Sequence, residues 1–127
     1  MKAISIHQPW ASLIAQEHKT IETRTWNTQH RGPLVICSSK TIQEDICELY
    51  EMPDPPRGLA LCVANLVDCR RMTEEDEVGA MRKVFYGAYA WILEDVKPIQ
   101  PFKVRGFPGL FFIKDELVKI CQTSDES

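Results

Sequence analysis

The distribution of strand-forming segments limits this fold more than any other feature. Six stretches are rich in β-branched and aromatic residues: Lys2–Ile6 (KAISI), Thr20–Trp26 (TIETRTW), Leu34–Ser38 (LVICS), Leu59–Arg70 (LALCVANLVDCR), Tyr89–Val96 (YAWILEDV) and Gly109–Ile113 (GLFFI). They stand at irregular intervals, and helical patterning separates only some of them. A doubly wound parallel sheet needs regular strand–helix alternation, which is missing. The predicted class is therefore α+β, a mixed β-barrel of about six strands with three or four flanking helices.

The helices carry their own signals. Pro9 suits a first helical turn, and Trp10, Leu13 and Ile14 repeat at helical spacing to about Gln16. Thr41 with Glu44 three residues on predicts a capping box for a helix reaching about Tyr50. Thr73 is the expected cap of an acidic helix, with Asp76 near its positive end and the run Glu74–Glu77 as its solvated start. A short helix or strand is expected over Glu116–Cys121. Met52–Gly58 (MPDPPRG) reads as a proline-rich loop, and Pro98, Pro101 and Pro108 punctuate an extended one.

The chain of 127 residues is the size of one domain, expected over residues 1–122, with a frayed tail at 123–127. A chain of this length buries roughly two-thirds of its unfolded surface, so no disulfide or metal staple is needed. No apolar run approaches the ~18 residues that cross a bilayer, and the N-terminus lacks a signal-peptide pattern, so a cytoplasmic protein is expected. Cys37, Cys47, Cys62, Cys69 and Cys121 are odd in number and none pairs as Cys-x-x-Cys, which fits buried free thiols. His7, His18 and His30 show no metal-ligand spacing, so neither metal nor cofactor is expected.

Charge is unevenly spread. Residues 1–40 carry Lys2, Lys19, Arg24, Arg31 and Lys40 against Glu17 and Glu22, a net +3, while the remainder is net −6 and the whole chain −3. Proteins that coat long duplexes are basic overall, because phosphate neutralisation dominates their affinity. A basic patch on an acidic body suits a short strand, a loop or a single nucleotide.

The segment Lys19–Trp26 carries the chemistry. Side chains alternate along a strand, which predicts Thr20, Glu22, Arg24 and Trp26 on one face and Ile21, Thr23 and Thr25 on the other. Burying that carboxylate and guanidinium without partners would cost several kcal/mol each, so the face is expected to line a wet cleft. The alternative is a surface strand with an internal Glu–Arg ion pair. In a cleft, Arg24 offers a planar fork for phosphate or a base edge. Trp26 or Trp10 could stack on a base. Glu22 could accept from a base or act as a general base, and Lys19 could bind phosphate or transfer a proton. Gln8, beside His7, could meet a base edge. Arg31 is a further candidate. Ser38, before Ser39 and Lys40, could hold a phosphate, although capping is the simpler account. Arg105 and Gly106 lie in a loop that could close over the cleft. At least one of Tyr89 and Trp91 is expected in the core, and Arg70 and Arg71 could belong to a basic patch or be simple surface charges.

Positions 17–24, Glu-His-Lys-Thr-Ile-Glu-Thr-Arg, resemble the Gly-x-Lys-x-x-Glu-x-Arg hallmark of the ASCH domain family, matching at Lys19, Glu22 and Arg24 with Glu17 in place of the glycine. SIHQPWASLI, Arg31-Gly32-Pro33-Leu34, Ala90-Trp91, Val104-Arg105-Gly106 and Gly109-Leu110-Phe111 extend the resemblance over about residues 1–115. The motif glycine would end the first helix in a left-handed turn, so Glu17 implies strain or a different turn. The resemblance implies a PUA-like barrel whose cleft holds the motif residues, with single-stranded or structured RNA, or a small nucleoside or nucleotide, as partner. It also implies two alternatives: a metal-independent ribonuclease acting on single-stranded RNA through Lys19 and Glu22, and an amidohydrolase acting on acylated cytidine. That amidohydrolase branch uses a threonine three residues after the lysine, where this chain has Glu22, which counts against carrying the nucleophile over.

Overall fold

The computed structural model describes residues 1–121, so the expected tail lies outside the described residues. Six strands form one sheet: β1 (Lys2–Gln8), β2 (Ile21–Arg24), β3 (Gly32–Ile42), β4 (Leu59–Arg71), β5 (Tyr89–Lys103) and β6 (Phe111–Phe112). The sheet order is β2-β5-β4-β3-β1-β6. Only β1 and β3 run parallel; every other pair is antiparallel. Three short helices accompany them: α1 (Trp10–Ala15), α2 (Glu44–Leu49) and α3 (Glu77–Ala80). The architecture is α+β. None of these helices is long and apolar enough to cross a membrane.

The sheet curls without closing. No backbone ladder joins β2 to β6, yet β2 and β1 approach across the open side so closely that Arg24 Nη2 donates to the Ser5 carbonyl at 2.8 Å. Inside the curl lies an apolar core of Ile4, Ile6, Ile14, Leu34, Ile36, Leu66, Trp91 and Leu93. Trp91 is fully buried, its Nε1 donating to the Trp26 carbonyl at 3.3 Å. Tyr89 is half-buried, with the Arg71 guanidinium 5.5 Å from its ring. Cys37, Cys47, Cys62 and Cys69 are buried free thiols, and Cys121 is half-buried.

Several element boundaries differ from the sequence expectation, each for a tertiary reason. β3 runs on through Ser39–Ile42 because β1 holds its far end: Gln8 pairs with Ile42, whereas the pairing with β4 stops at Cys37. Thr41 therefore lies in a strand, and the residue before α2 is Gln43, which makes no side-chain cap. β5 passes through Pro98 and Pro101, where a loop was expected. β2 pairs with β5 only as far as Ile92, so the second half of β5 is an edge that proline tolerates. β6 shrinks to two residues, and the 116–121 segment provides one 3-10 turn over Asp115–Leu117 and a bridge from Ile120 to Ile99. Thr73 caps as expected, though what it caps is a 3-10 turn at Glu74–Asp76 that leads into α3, and it forms with Asp76 the capping box that was expected at Thr41 and Glu44. Buried Asp76 also takes a bidentate bond from Arg70, at 2.8 and 2.9 Å, which holds its carboxyl below the usual range.

Glu17 adopts the left-handed conformation expected of a glycine, with φ of 64°. The turn is worth its strain locally: the His18 and Lys19 amides both donate to the Leu13 carbonyl, satisfying the end of α1. A Glu17→Gly protein should be more stable by roughly 0.5–1 kcal/mol, the left-handed penalty less the added chain entropy of glycine. Urea denaturation measures it, and an unchanged or lower midpoint would show that the turn stores no strain.

Candidate functional site

The cleft is assembled from the tight turn after α1, from β2 and from the end of α3. The turn at Glu17 reverses the chain and sends Lys19 inward, where its Nζ donates to the Ala80 carbonyl at the end of α3 at 2.5 Å. The same ammonium sits 3.8 Å from Glu22 Oε1 and 5.1 Å from the centre of the Trp10 ring. Glu22 faces it from β2, and its Oε2 accepts from Arg24 Nε at 3.1 Å. Lys19 is only 2% exposed and Glu22 7%. Burial lowers the Lys19 pKa to about 8; Glu22 opposes that shift, and Arg82 and Arg24 add to it.

These groups line an open cleft of about 210 Å³, bordered by Ile6, His7, Trp10, Lys19, Glu22, Thr23, Arg24, Gln43 and Arg82. Three cations meet one carboxylate there. The structure thus brings together Lys19, Glu22, Arg24 and Trp10, four of the residues singled out by the sequence. Arg82 and Gln43 complete the lining without having been anticipated. Neither belongs to a motif, and no local pattern connects position 82 to position 19; only the folding of α3 against β2 does so. Thr23, expected on the opposite face, also borders the cleft.

The other candidates lie elsewhere. β2 ends at Arg24, so the alternation does not extend to Trp26. Trp26 packs edge-on against Trp91 with ring centres 4.8 Å apart, and it lines no part of the cleft. Gln8 is fully buried and fully engaged. Its Nε2 donates to Ser12 Oγ and the Pro56 carbonyl, and its Oε1 accepts from the Ser12 amide, so it ties α1 and the proline-rich loop to β1. Arg31 is exposed, donates to the Thr28 and His30 carbonyls and faces Asp68 at 3.6 Å. Ser38 and Arg105 border a second, larger hollow beside the cleft. The Ser38 hydroxyl also exchanges bonds with the Leu59 carbonyl and amide.

The ASCH domain family model matches residues 4–103. The chain belongs to the ASCH domain family. This ASCH domain is 36% identical over 130 residues to activating signal cointegrator 1 of Mus musculus, covering 90% of this chain and 22% of that protein. It is 38% identical over 80 residues to activating signal cointegrator 1 of Homo sapiens, covering 52% of this chain and 14% of that protein. It spans less than a quarter of either relative. The crystal structure of an ASCH protein from Zymomonas mobilis superimposes with a TM-score of 0.66 over 91% of this chain and 88% of that one, at 17% identity. A single-substitution variant of that protein gives a TM-score of 0.62, with 91% of both chains covered. At that identity the likeness shows the fold alone. The family match spans the whole Lys19–Glu22–Arg24 cleft.

Proposed function

We propose that this ASCH domain binds RNA, seating one nucleotide in the Lys19–Glu22–Arg24–Arg82 cleft. The observation that carries the reading is the convergence of three cations, one carboxylate and an indole on a hollow of about 210 Å³. That donor excess suits a phosphate, the Glu22 carboxylate can accept from an exocyclic amine, and Trp10 offers a stacking face. A mononucleotide alone, single-stranded RNA and an unpaired loop of structured RNA all present this chemistry.

Arg82 tests the reading cleanly, because it is exposed and, among the described residues, its guanidinium rests only on the Phe85 ring, 4.0 Å away. Arg82→Ala should weaken binding of a fluorescent single-stranded RNA about tenfold, the ~1.5 kcal/mol of one charge-assisted hydrogen bond. Its melting temperature should stay at the wild-type value. Unchanged affinity would remove the cleft from the binding surface.

A second reading, metal-independent cleavage of single-stranded RNA, is favoured by one observation: a buried lysine with a pKa of about 8 stands beside a carboxylate, with His7 on the same rim. Incubation of labelled RNA in EDTA tests it. Cleavage that disappears in Lys19→Met would support it, and intact RNA at high protein concentration would eliminate it.

A further inference from the structure

Next to the cleft lies a hollow of about 790 Å³, against about 210 Å³ for the cleft itself. The two adjoin, with Arg24 and His7 bordering both. Its walls are the polar end of β3, the end of β5 and the loop over residues 104–109. Lys40, Lys103 and Arg105 project from those three elements, and no residue lining the hollow is acidic. All three are exposed, and none takes part in an ion pair among the described residues. Most of the other arginines nearer the acidic body do: Arg31, Arg57 and Arg70 each face an aspartate. Three uncompensated cations gathered on a protein of net charge −3 repel one another. An anion running through the hollow would relieve that repulsion.

The hollow is also shaped. Gly106 is pressed against β1 so closely that a Cβ there would sit 2.7 Å from the Ser5 hydroxyl. That hydroxyl is buried and has no hydrogen-bond partner among the described residues. The contact seats the 104–109 loop directly on the strand, which fixes the separation between Arg105 and the cations opposite. Phe107, 47% exposed, stands at the lip of the same loop, tilted on Phe111 at 5.5 Å and with the Arg105 guanidinium 5.4 Å from its ring. Cations along a groove with an exposed aromatic at its edge match the requirements of a single strand, whose phosphates follow the charges while a base stacks on the ring.

We propose that this hollow is the track for the phosphates flanking the nucleotide held in the cleft, so that the ligand is a single strand of several nucleotides and not a free nucleotide. This rests on the cleft reading, and length dependence separates the two. Adenosine monophosphate and 5′-labelled adenine oligoribonucleotides of two, four and eight residues are titrated against wild-type protein and against the Lys40→Ala/Lys103→Ala/Arg105→Ala variant. Wild-type affinity should rise with length and level off by the octamer. The triple variant should bind the monophosphate within twofold of wild type yet bind the octamer roughly tenfold or more weakly. Its log–log salt slope should be smaller by roughly 2, since each of three phosphate contacts on a single strand contributes about 0.7. Equal wild-type affinity for monophosphate and octamer, or an undiminished octamer affinity in the variant, would overturn the track and leave the cleft standing. Octamer binding that the triple variant abolishes, with no binding of the monophosphate by either protein, would keep the track and remove the cleft. Equal binding of oligoglutamate would show a general polyanion surface, and tighter binding of a duplex would overturn the single-strand assignment.

Discussion

An Arg24→Met protein should bind single-stranded RNA about 100-fold more weakly than wild type and lose about 3 kcal/mol of stability. Both effects follow from three contacts of one guanidinium. Its Nε bonds Glu22 Oε2 at 3.1 Å, its Nη2 bonds the Ser5 carbonyl at 2.8 Å, and its side chain borders both hollows. Removing it leaves a buried carboxylate with only the Lys19 ammonium at 3.8 Å and strips Ser5 of its partner across the open side of the sheet. Truncating one member of a buried charge pair costs about 3–5 kcal/mol. The binding loss, about 2.7 kcal/mol, is that of a charged group taken from a desolvated contact. Arg24→Lys separates charge from geometry: it keeps the cation but cannot span Glu22 and Ser5 with one planar group, so it should recover only part of each loss. Isothermal urea titration and fluorescence anisotropy, both well below the melting temperature, measure the two effects. Wild-type affinity in Arg24→Met would end the cleft reading.

The parts of this outcome that were legible in the sequence are those governed by short-range rules. Period-two alternation put Glu22 and Arg24 on one face of β2, and the same alternation excludes a dry core for such a face. The cap at Thr73 is a local signal of the same kind and forms as expected, whereas the capping box read at Thr41 and Glu44 is lost to β3. What was not legible depends on contacts between distant segments. Alternation carries the Glu22–Arg24 face on to Trp26, but the strand stops at Arg24 and the indole packs edge-on against Trp91, a contact between segments 65 residues apart. Gln8 reads as a base contact in the sequence because it follows the first strand, at the expected mouth of the cleft. Fully buried, it needs every one of its bonds for Ser12 and Pro56. Arg82 joins the cleft only because α3 packs beside β2, where the Thr20 amide donates to the Gly79 carbonyl at 2.9 Å. Pro98 and Pro101 signalled a loop, since a sequence does not reveal which half of a long strand will be an edge.

Between pH 8 and 9, raising the pH should strengthen the fold and weaken the binding, and Lys19 is the cause of both. Its pKa is about 8 in the folded protein and 10.5 without burial. Between those values the unfolded chain binds more protons than the folded one, so unfolding free energy rises with pH as the buried ammonium gives up its charge. Over the full interval this amounts to about 3 kcal/mol. Cys37 and Cys62 act in the opposite sense. Burial raises each to about 12 from 9.0, so their contribution is complete below pH 9 and declines above it. Wild-type stability should therefore climb from pH 8 to 9 and then turn over. Lys19→Met retains both thiols, so the difference between the two proteins isolates the lysine, and it should shift monotonically in favour of wild type across pH 8 to 10.5. Affinity runs the other way: above pH 8 the cleft loses one of its cations, and an adenine–cytosine oligonucleotide, whose bases do not titrate there, should bind up to about tenfold more weakly per pH unit. In Lys19→Met that dependence should vanish, leaving weak binding flat in pH. A wild-type affinity that stays level from pH 7 to 9.5 would mean that the ligand never feels the Lys19 charge, whereas opposite slopes for stability and binding between pH 8 and 9, both lost in Lys19→Met, trace to one buried ammonium that the ligand senses.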